Sequence, residues 1–203
     1  MKSGALRIAE TAFISMETFT QMTFKHWVEN RPAGDINRYE LASGRIIMTP
    51  PAAWEHAEVE ARVIRILGEF ASKHKLGRNF GSSAGYELPS GDTLEPDASF
   101  ISRERWSKGP QPRRGQFLKL VPTLVVEIIS PATARRDRID KKKIYEANGV
   151  DEYWLVDPRR REITVFHLSA GKKYDVGIRF EAHQKLCSEV LKGFEVLTRS
   201  LFG

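Results

Sequence analysis

The sequence predicts an α/β protein with a mixed central β-sheet. Three observations carry this. First, an apolar run from Leu124 to Ile129, a charged helical stretch from Asp137 to Asn148 and a second apolar run in "EYWLVDP" form a strand–helix–strand unit. A short crossover of that kind joins parallel strands. Second, hairpin patterns flank the unit, so antiparallel strands must join the same sheet. Third, Glu55 to Lys75 repeats Val59, Val63, Ile66, Leu67 and Phe70 at helical spacing, a face built to cover a sheet.

The elements follow in chain order. Ser15 to Glu29 has mixed apolar spacing (Met16, Phe19, Met22, Trp27) and reads as a helix with Ser15 as its cap. "RYELASGRIIMTP" reads as a hairpin turning at Ser43-Gly44 and stopped by Pro50 and Pro51. The long helix from Glu55 ends near Gly77, a residue suited to a C-terminal cap. "GYELPSGDTLEPDASFI" reads as short strands around a Ser90-Gly91-Asp92 turn, and a basic loop with Pro110 and Pro112 follows. Leu124 to Ile129 is apolar on both faces except at Glu127, as in a strand covered on both sides. Gly149 caps the helix from Asp137, Asp157-Pro158 ends the next strand, and "EITVFHL" and "YDVGIRF" add two more.

At 203 residues the chain is long enough for one sizeable core, and a single domain over 1–203 with an N-terminal helical extension over 1–30 is expected. No apolar run approaches the roughly 20 residues of a membrane span, and "MKSGALRIAETAF" lacks the apolar block of a secretory signal. One cysteine, Cys187, excludes an internal disulfide framework and a cysteine-based zinc site. A cytoplasmic protein without a membrane partner is the resulting expectation. The net charge of +6 favours polyanionic partners. The charge gathers in three clusters: Arg103, Arg105, Lys108, Arg113, Arg114 and Lys119; then Arg135, Arg136, Arg138 and Lys141 to Lys143; then Arg159 to Arg161. Each alone reads as a solvated face; all three around one site would make a phosphate-binding surface.

Glu127 poses the chemical question, because a buried carboxylate needs a partner. A basic side chain would make it structural and a cation would make it functional. Asp97 opens the strand before it, and two carboxylates meeting in a sheet repel each other unless a cation joins them. Oxygen ligands suit Mg²⁺ or Mn²⁺. On the helix that follows, Ile139, Ile144 and Ala147 mark an inner face at about 100° per residue. Lys142 points away with Glu146, Lys143 falls among the apolar residues, and Lys141 lies at the border four residues before Tyr145. Periodicity therefore leaves both Lys141 and Lys143 as candidates for reaching Glu127.

The succession "EPDASFI", "PTLVVEIISPAT" and "RDRIDKKKIYEANGVDEYWLVDP" closely resembles the Uma-two family of restriction-endonuclease-like proteins, a branch of the PD-(D/E)XK nuclease superfamily. The resemblance runs from "RYELASGRIIMTPP" to "SEVLKGFEVLTRSLF". It implies a restriction-endonuclease-like sheet and a Mg²⁺- or Mn²⁺-dependent nuclease acting on DNA, with Asp97 and Glu127 as metal ligands. Superfamily members usually carry a lysine two residues after that glutamate, which is Ile129 here. The Uma-like pattern instead has a lysine four residues before a tyrosine on the next helix, which is Lys141 before Tyr145. Glu40 and His56 match a recurrent acid and a recurrent histidine, with His56 also reading as a hydrogen-bonded core residue. Arg103, Arg105, Arg135 and Arg136 are the expected nucleic-acid contacts. Duplex cleavage with one site per subunit would favour a homodimer. The alternative reading keeps the fold and DNA binding but loses turnover.

Overall fold

The computed structural model describes residues 13–131 and 133–203. Expectations that fall on residues 1–12, including part of the N-terminal extension, lie outside the described residues. The chain opens with β1 (Phe13–Ile14), α1 (Gln21–Glu29), the hairpin β2 (Arg38–Ala42) and β3 (Arg45–Thr49), and the long helix α2 (Trp54–Lys73). Then come β4 (Gly77–Gly81), the short pair β5 (Tyr86–Glu87) and β6 (Thr93–Leu94), β7 (Ala98–Ser102) and α3 (Arg103–Lys108). β8 (Leu124–Ile128) leads through a π-helical turn (Arg136–Lys141) into α4 (Lys142–Asn148) and β9 (Glu152–Asp157). The chain closes with β10 (Glu162–His167), β11 (Ile178–Glu181), β12 (Lys185–Cys187) and β13 (Glu195–Leu197).

Two sheets organise the described residues, with β12 and β13 forming a small separate ribbon. The larger has order β11-β10-β9-β8-β7-β4, and the smaller has order β1-β3-β2-β6-β5. β8 and β9 run parallel, and the other neighbours in the larger sheet are antiparallel, so the sheet is mixed as its sequence pattern predicts. Every residue of β8 is buried. Its Leu124, Val126 and Ile128 pack into one core with Val59, Val63 and Leu67 of α2. Strand alternation sends Val125 to the opposite core, which holds Tyr145, Tyr153 and Leu155. Glu127 shares that second face. No helix among the described residues is long and apolar enough to cross a membrane.

Several boundaries differ from the sequence expectation for local reasons. α1 begins at Gln21, because Thr20 and Thr23 form a reciprocal capping box; Ser15 instead donates to Glu17 O and accepts from Ile46 N. α2 stops at Lys73, and Gly77 starts β4 rather than capping the helix. A Cβ at Gly77 would lie 2.1 Å from Ile101 O, so the close strand approach requires glycine there. Part of the expected basic loop is helix α3, capped by Ser102. The hairpin turn does fall on Ser43-Gly44, both at positive φ (50° and 75°), as a tight twist-matched turn requires.

Two features of this topology place the site. Pro96-Asp97 lies where the chain leaves β6 in one sheet and enters β7 in the other. β7 pairs with β8 at Ala98↔Val126, and extending that register by one residue sets Asp97 opposite Glu127. The parallel strands β8 and β9 also end side by side, and the crevice beyond carboxyl ends of that kind is where α/β sheets take ligands.

Candidate active site

A cleft of about 480 Å³ opens there. Its floor holds Asp97, Glu127, Lys141 and Glu40, each only 3–4% exposed. The elements that supply them come from both sheets and from the turn between β8 and α4.

Glu127 is held by two donors on one oxygen. Lys141 Nζ lies 2.8 Å and Tyr145 Oη 2.7 Å from Glu127 Oε1. Oε2 takes no hydrogen bond from the described residues. Burial raises the Glu127 carboxyl above the usual range; Lys141 opposes this, while Asp97, Asp137 and Glu40 add to it. Lys141 Nζ also lies 2.8 Å from Glu40 Oε1. Burial works to lower the Lys141 amine, yet Glu127 and Glu40 hold it above the ordinary lysine range, so it stays charged. Glu40 is the hub of this network. Besides Lys141 it accepts from Glu95 N at 2.9 Å and from Arg136 Nη2 at 2.9 Å. Burial works to raise its carboxyl, but Lys141, Arg136 and Arg38 keep it below its ordinary value.

Asp97 has its own donors: Arg38 Nη1 at 3.0 Å, Ile128 N at 2.8 Å and His56 Nε2 at 3.2 Å. His56 Nε2 is also 3.1 Å from Ile128 O. The histidine stands in the first turn of α2, whose positive dipole end supports the same carboxylate. Burial works to raise Asp97, but the His56 hydrogen bond and charge, with Arg38, hold it well below the usual carboxylate range. Asp97 opposes burial in turn and raises the His56 imidazole.

A pH dependence follows from Asp97. Its folded value lies well below the ordinary 3.8, so its stabilisation is fully present above that pH, begins to fade there and is lost as pH falls on toward the folded value. Melting temperatures measured from pH 6 to pH 3 should therefore fall more steeply for wild type than for Asp97→Asn. Asp97→Asn should start lower at pH 6, by roughly 1–3 kcal/mol, because Arg38 and His56 lose a charged acceptor. Parallel acid profiles would remove Asp97 from this account.

The sequence-predicted residues divide cleanly. Asp97, Glu127, Lys141, Tyr145, Glu40, His56 and Arg136 all converge on the cleft or its buried support. Arg103 and Arg105 do not. Arg105 on α3 binds Asp151 Oδ1 at 2.7 Å, Pro122 O at 2.7 Å and Gly149 O at 3.0 Å, and Arg103 binds Lys75 O. Arg105 is spent on tying loops, Arg103 is exposed with one bond to Lys75 O, and neither lines the cleft, so the first basic cluster does not surround the site as expected. Arg135 is exposed at the head of the π-helical turn. The helical wheel also fails here. Lys143 is exposed, Ile139 is 42% exposed, and the buried face carries Asp137, Lys141 and Tyr145. The π-helical winding breaks the 100° step, and the inward residues are polar.

Residues the sequence reading missed include Arg38, Glu60, Glu95 and Asp137. Arg38 was legible, since it stands two residues before Glu40 on the same face of β2. Burial raises Asp137 up to about 6 against the pull of Lys141, and Asp137 Oδ1 has no hydrogen-bond partner. Burial and Glu40 raise Glu95 up to about 7.

The donor set fits a hard divalent cation. Glu127 Oε2 and the Asp97 carboxylate are oxygens on facing strand positions, and Asp137 Oδ1 is an orphaned buried acceptor nearby. His56, Glu60 and Asp97 also offer ligand atoms within 4.8 Å of one another. The oxygen pair is the better hard-ion set, because Mg²⁺ and Mn²⁺ favour oxygen ligands over imidazole; His56 Nε2 is engaged with Ile128 O and Asp97, while its Nδ1 has no hydrogen-bond partner.

A buried Asp at the entry to β7, a buried Glu near the carboxyl end of the adjoining β8 and a buried Lys on the turn that follows, in a mixed sheet of this topology, define a restriction-endonuclease-like protein. The chain belongs to the Uma2 family, described as "Putative restriction endonuclease", whose profile matches residues 16–200. A solved structure from Anabaena variabilis ATCC 29413, described as "a putative nuclease belonging to DUF820", is similar with a TM-score of 0.72. It is 15% identical, and the match covers 88% of this chain and 96% of that one. No curated protein matches the chain.

Proposed function

We propose that the protein is a Mg²⁺- or Mn²⁺-dependent nuclease that hydrolyses DNA phosphodiester bonds. The observation that carries this reading is the convergence of Asp97, Glu127 and Lys141 on one cleft although they lie on separate elements. Asp97 and Glu127 would hold the ion, which when bound polarises a phosphoryl oxygen and lowers the pKa of a water. Lys141 and Tyr145 fix Glu127 through Oε1 and leave Oε2 free for that role. Because Lys141 stays protonated, it acts as a hydrogen-bond donor to developing negative charge and orients the nucleophile rather than taking its proton. Arg38, Arg136 and Arg159 line the same cleft and supply cations for the phosphate backbone.

The test combines binding and cleavage. DNA binding without metal should weaken steeply with salt, since phosphate contacts release counterions. Cleavage should need Mg²⁺ or Mn²⁺, stop with chelator, and fall by at least about 10²-fold in Asp97→Asn and Glu127→Gln. Salt-dependent binding with no cleavage under any divalent ion would sink the enzyme reading and leave a DNA-binding module. One observation favours that second reading: Ile129 occupies the superfamily's usual lysine position. Absence of binding at low salt would remove both.

A further inference from the structure

We infer that the strand entering this cleft is unpaired, and that Trp54 stacks against one of its bases. This rests on the nuclease reading and names the substrate class for the same site. Trp54 is 72% exposed at the first position of α2; its own side chain is outside the cleft lining and stands beside it, between the lining residues Ala53 and Glu55. The other tryptophans are engaged: Trp27 packs edge-on against Tyr39, Trp106 lies against Phe80 and Arg78, and Trp154 is buried beside Phe194. Trp54 has no aromatic or cationic partner among the described residues.

The cleft's dimensions favour a single strand. About 480 Å³ lies in the range of sites that enclose one small ligand, roughly 300–1,000 Å³. The rim carries Pro50, Pro51, Pro131 and Pro158, whose fixed backbone angles make it stiff. The acidic floor lies below that rim and is almost fully shielded. A free strand has the backbone freedom to bend a phosphate down to such a floor. A duplex holds both its strands to one helical geometry, and its bases are already stacked on each other. Unpaired bases gain from an exposed aromatic ring.

Charge complements this arrangement. Arg136 spends Nη2 on Glu40, but its Nε and Nη1 are buried without a hydrogen-bond partner. Orphaned guanidinium donors are costly, and a phosphate oxygen would satisfy them. Arg159 is exposed at the cleft and pairs with no carboxylate among the described residues, whereas Arg160 is paired with Asp157 and Glu162.

The test is fluorescence anisotropy with a labelled DNA oligonucleotide, single-stranded or annealed, on the intact protein in chelator at fixed salt. The single strand should bind about ten times tighter than the duplex. Trp54→Ala should weaken single-strand binding by roughly tenfold and leave duplex binding unchanged, and Trp54→Phe should restore most of the loss. Equal or tighter duplex binding by wild type overturns the inference without any variant. So does a Trp54→Ala protein that folds and binds the single strand normally. Either result leaves the nuclease reading intact, whereas binding to neither DNA overturns that reading as well. A protein surface for Trp54 would show as unchanged binding to both DNAs.

Discussion

Lys141→Met should abolish cleavage and also lower stability by roughly 3–5 kcal/mol near pH 8, the cost of leaving buried charges without their partner. The stability loss arises because Lys141 bridges Glu40 Oε1 and Glu127 Oε1, each at 2.8 Å, in a site almost closed to water. Methionine fills the same space but leaves two carboxylates facing one another. Their folded pKa values then rise, so the stability they contribute is present below the ordinary glutamate value and is lost as pH climbs through the raised one. The deficit should therefore be largest at pH 8 and shrink toward pH 4.5. Catalysis is separable from this. Single-turnover cleavage, well below the melting temperature of either protein and at saturating Mn²⁺, isolates the chemical step. Lys143→Met is the control, because Lys143 is exposed and touches neither acid. Lys142→Met is a second control: its ammonium sits over the Phe166 ring, 3.7 Å from the centroid, away from the cleft. A Lys141→Met protein that cuts at the wild-type rate would refute the assignment, and the same protein melting like wild type at pH 8 would refute the buried bridge.

Glu40→Gln should be the next most damaging change. It keeps the shape, and its amide oxygen can still accept from Glu95 N. It removes the charge that Lys141 and Arg136 share, and it places an amide N–H₂ against one of them. Arg136 then lacks a carboxylate and Lys141 keeps only that of Glu127, which costs on the order of 3–5 kcal/mol. Because Glu40 lies on β2 of the smaller sheet and its cations lie on the turn after β8, the loss also loosens the tie between the two sheets. Denaturant unfolding should show a lower midpoint, and cleavage should fall with it as Lys141 loses one of its two anchors. A midpoint shift under about 0.5 kcal/mol would mark Glu40 as an ordinary surface-like position and contradict its place in the network.

The family spacing points to Lys141 rather than Lys143, and the structure places the Lys141 amine on Glu127. Periodicity over the same segment leaves Lys141 and Lys143 undistinguished and misplaces the inner face on Ile139, Ile144 and Ala147. The difference lies in what each signal measures. A wheel reports where apolar residues recur, and on this helix the buried face is Asp137, Lys141 and Tyr145, so its hydrophobic marks point elsewhere. Glu152 shows the converse. It is fully buried in β9, but it accepts from the backbone amides of Glu189 and Val190 and does not line the cleft. A buried glutamate in a strand is thus legible in sequence, while the kind of partner it has is not.

The sequence by itself determined the α/β class, the parallel pair around the crossover helix and the Ser43-Gly44 hairpin, and it singled out Asp97 and Glu127 as candidates and, through the family resemblance, Lys141. These rest on local chemistry: apolar runs, turn residues and motif spacing act over a few residues. Only the tertiary structure decided which charges neutralise which. Arg38 reaches Asp97 across 59 residues and Arg136 reaches Glu40 across 96, while Arg105 turns inward to loops, away from the cleft. Buried charges have no periodic signature, because their stability comes from a partner that the fold, and not the neighbouring sequence, delivers.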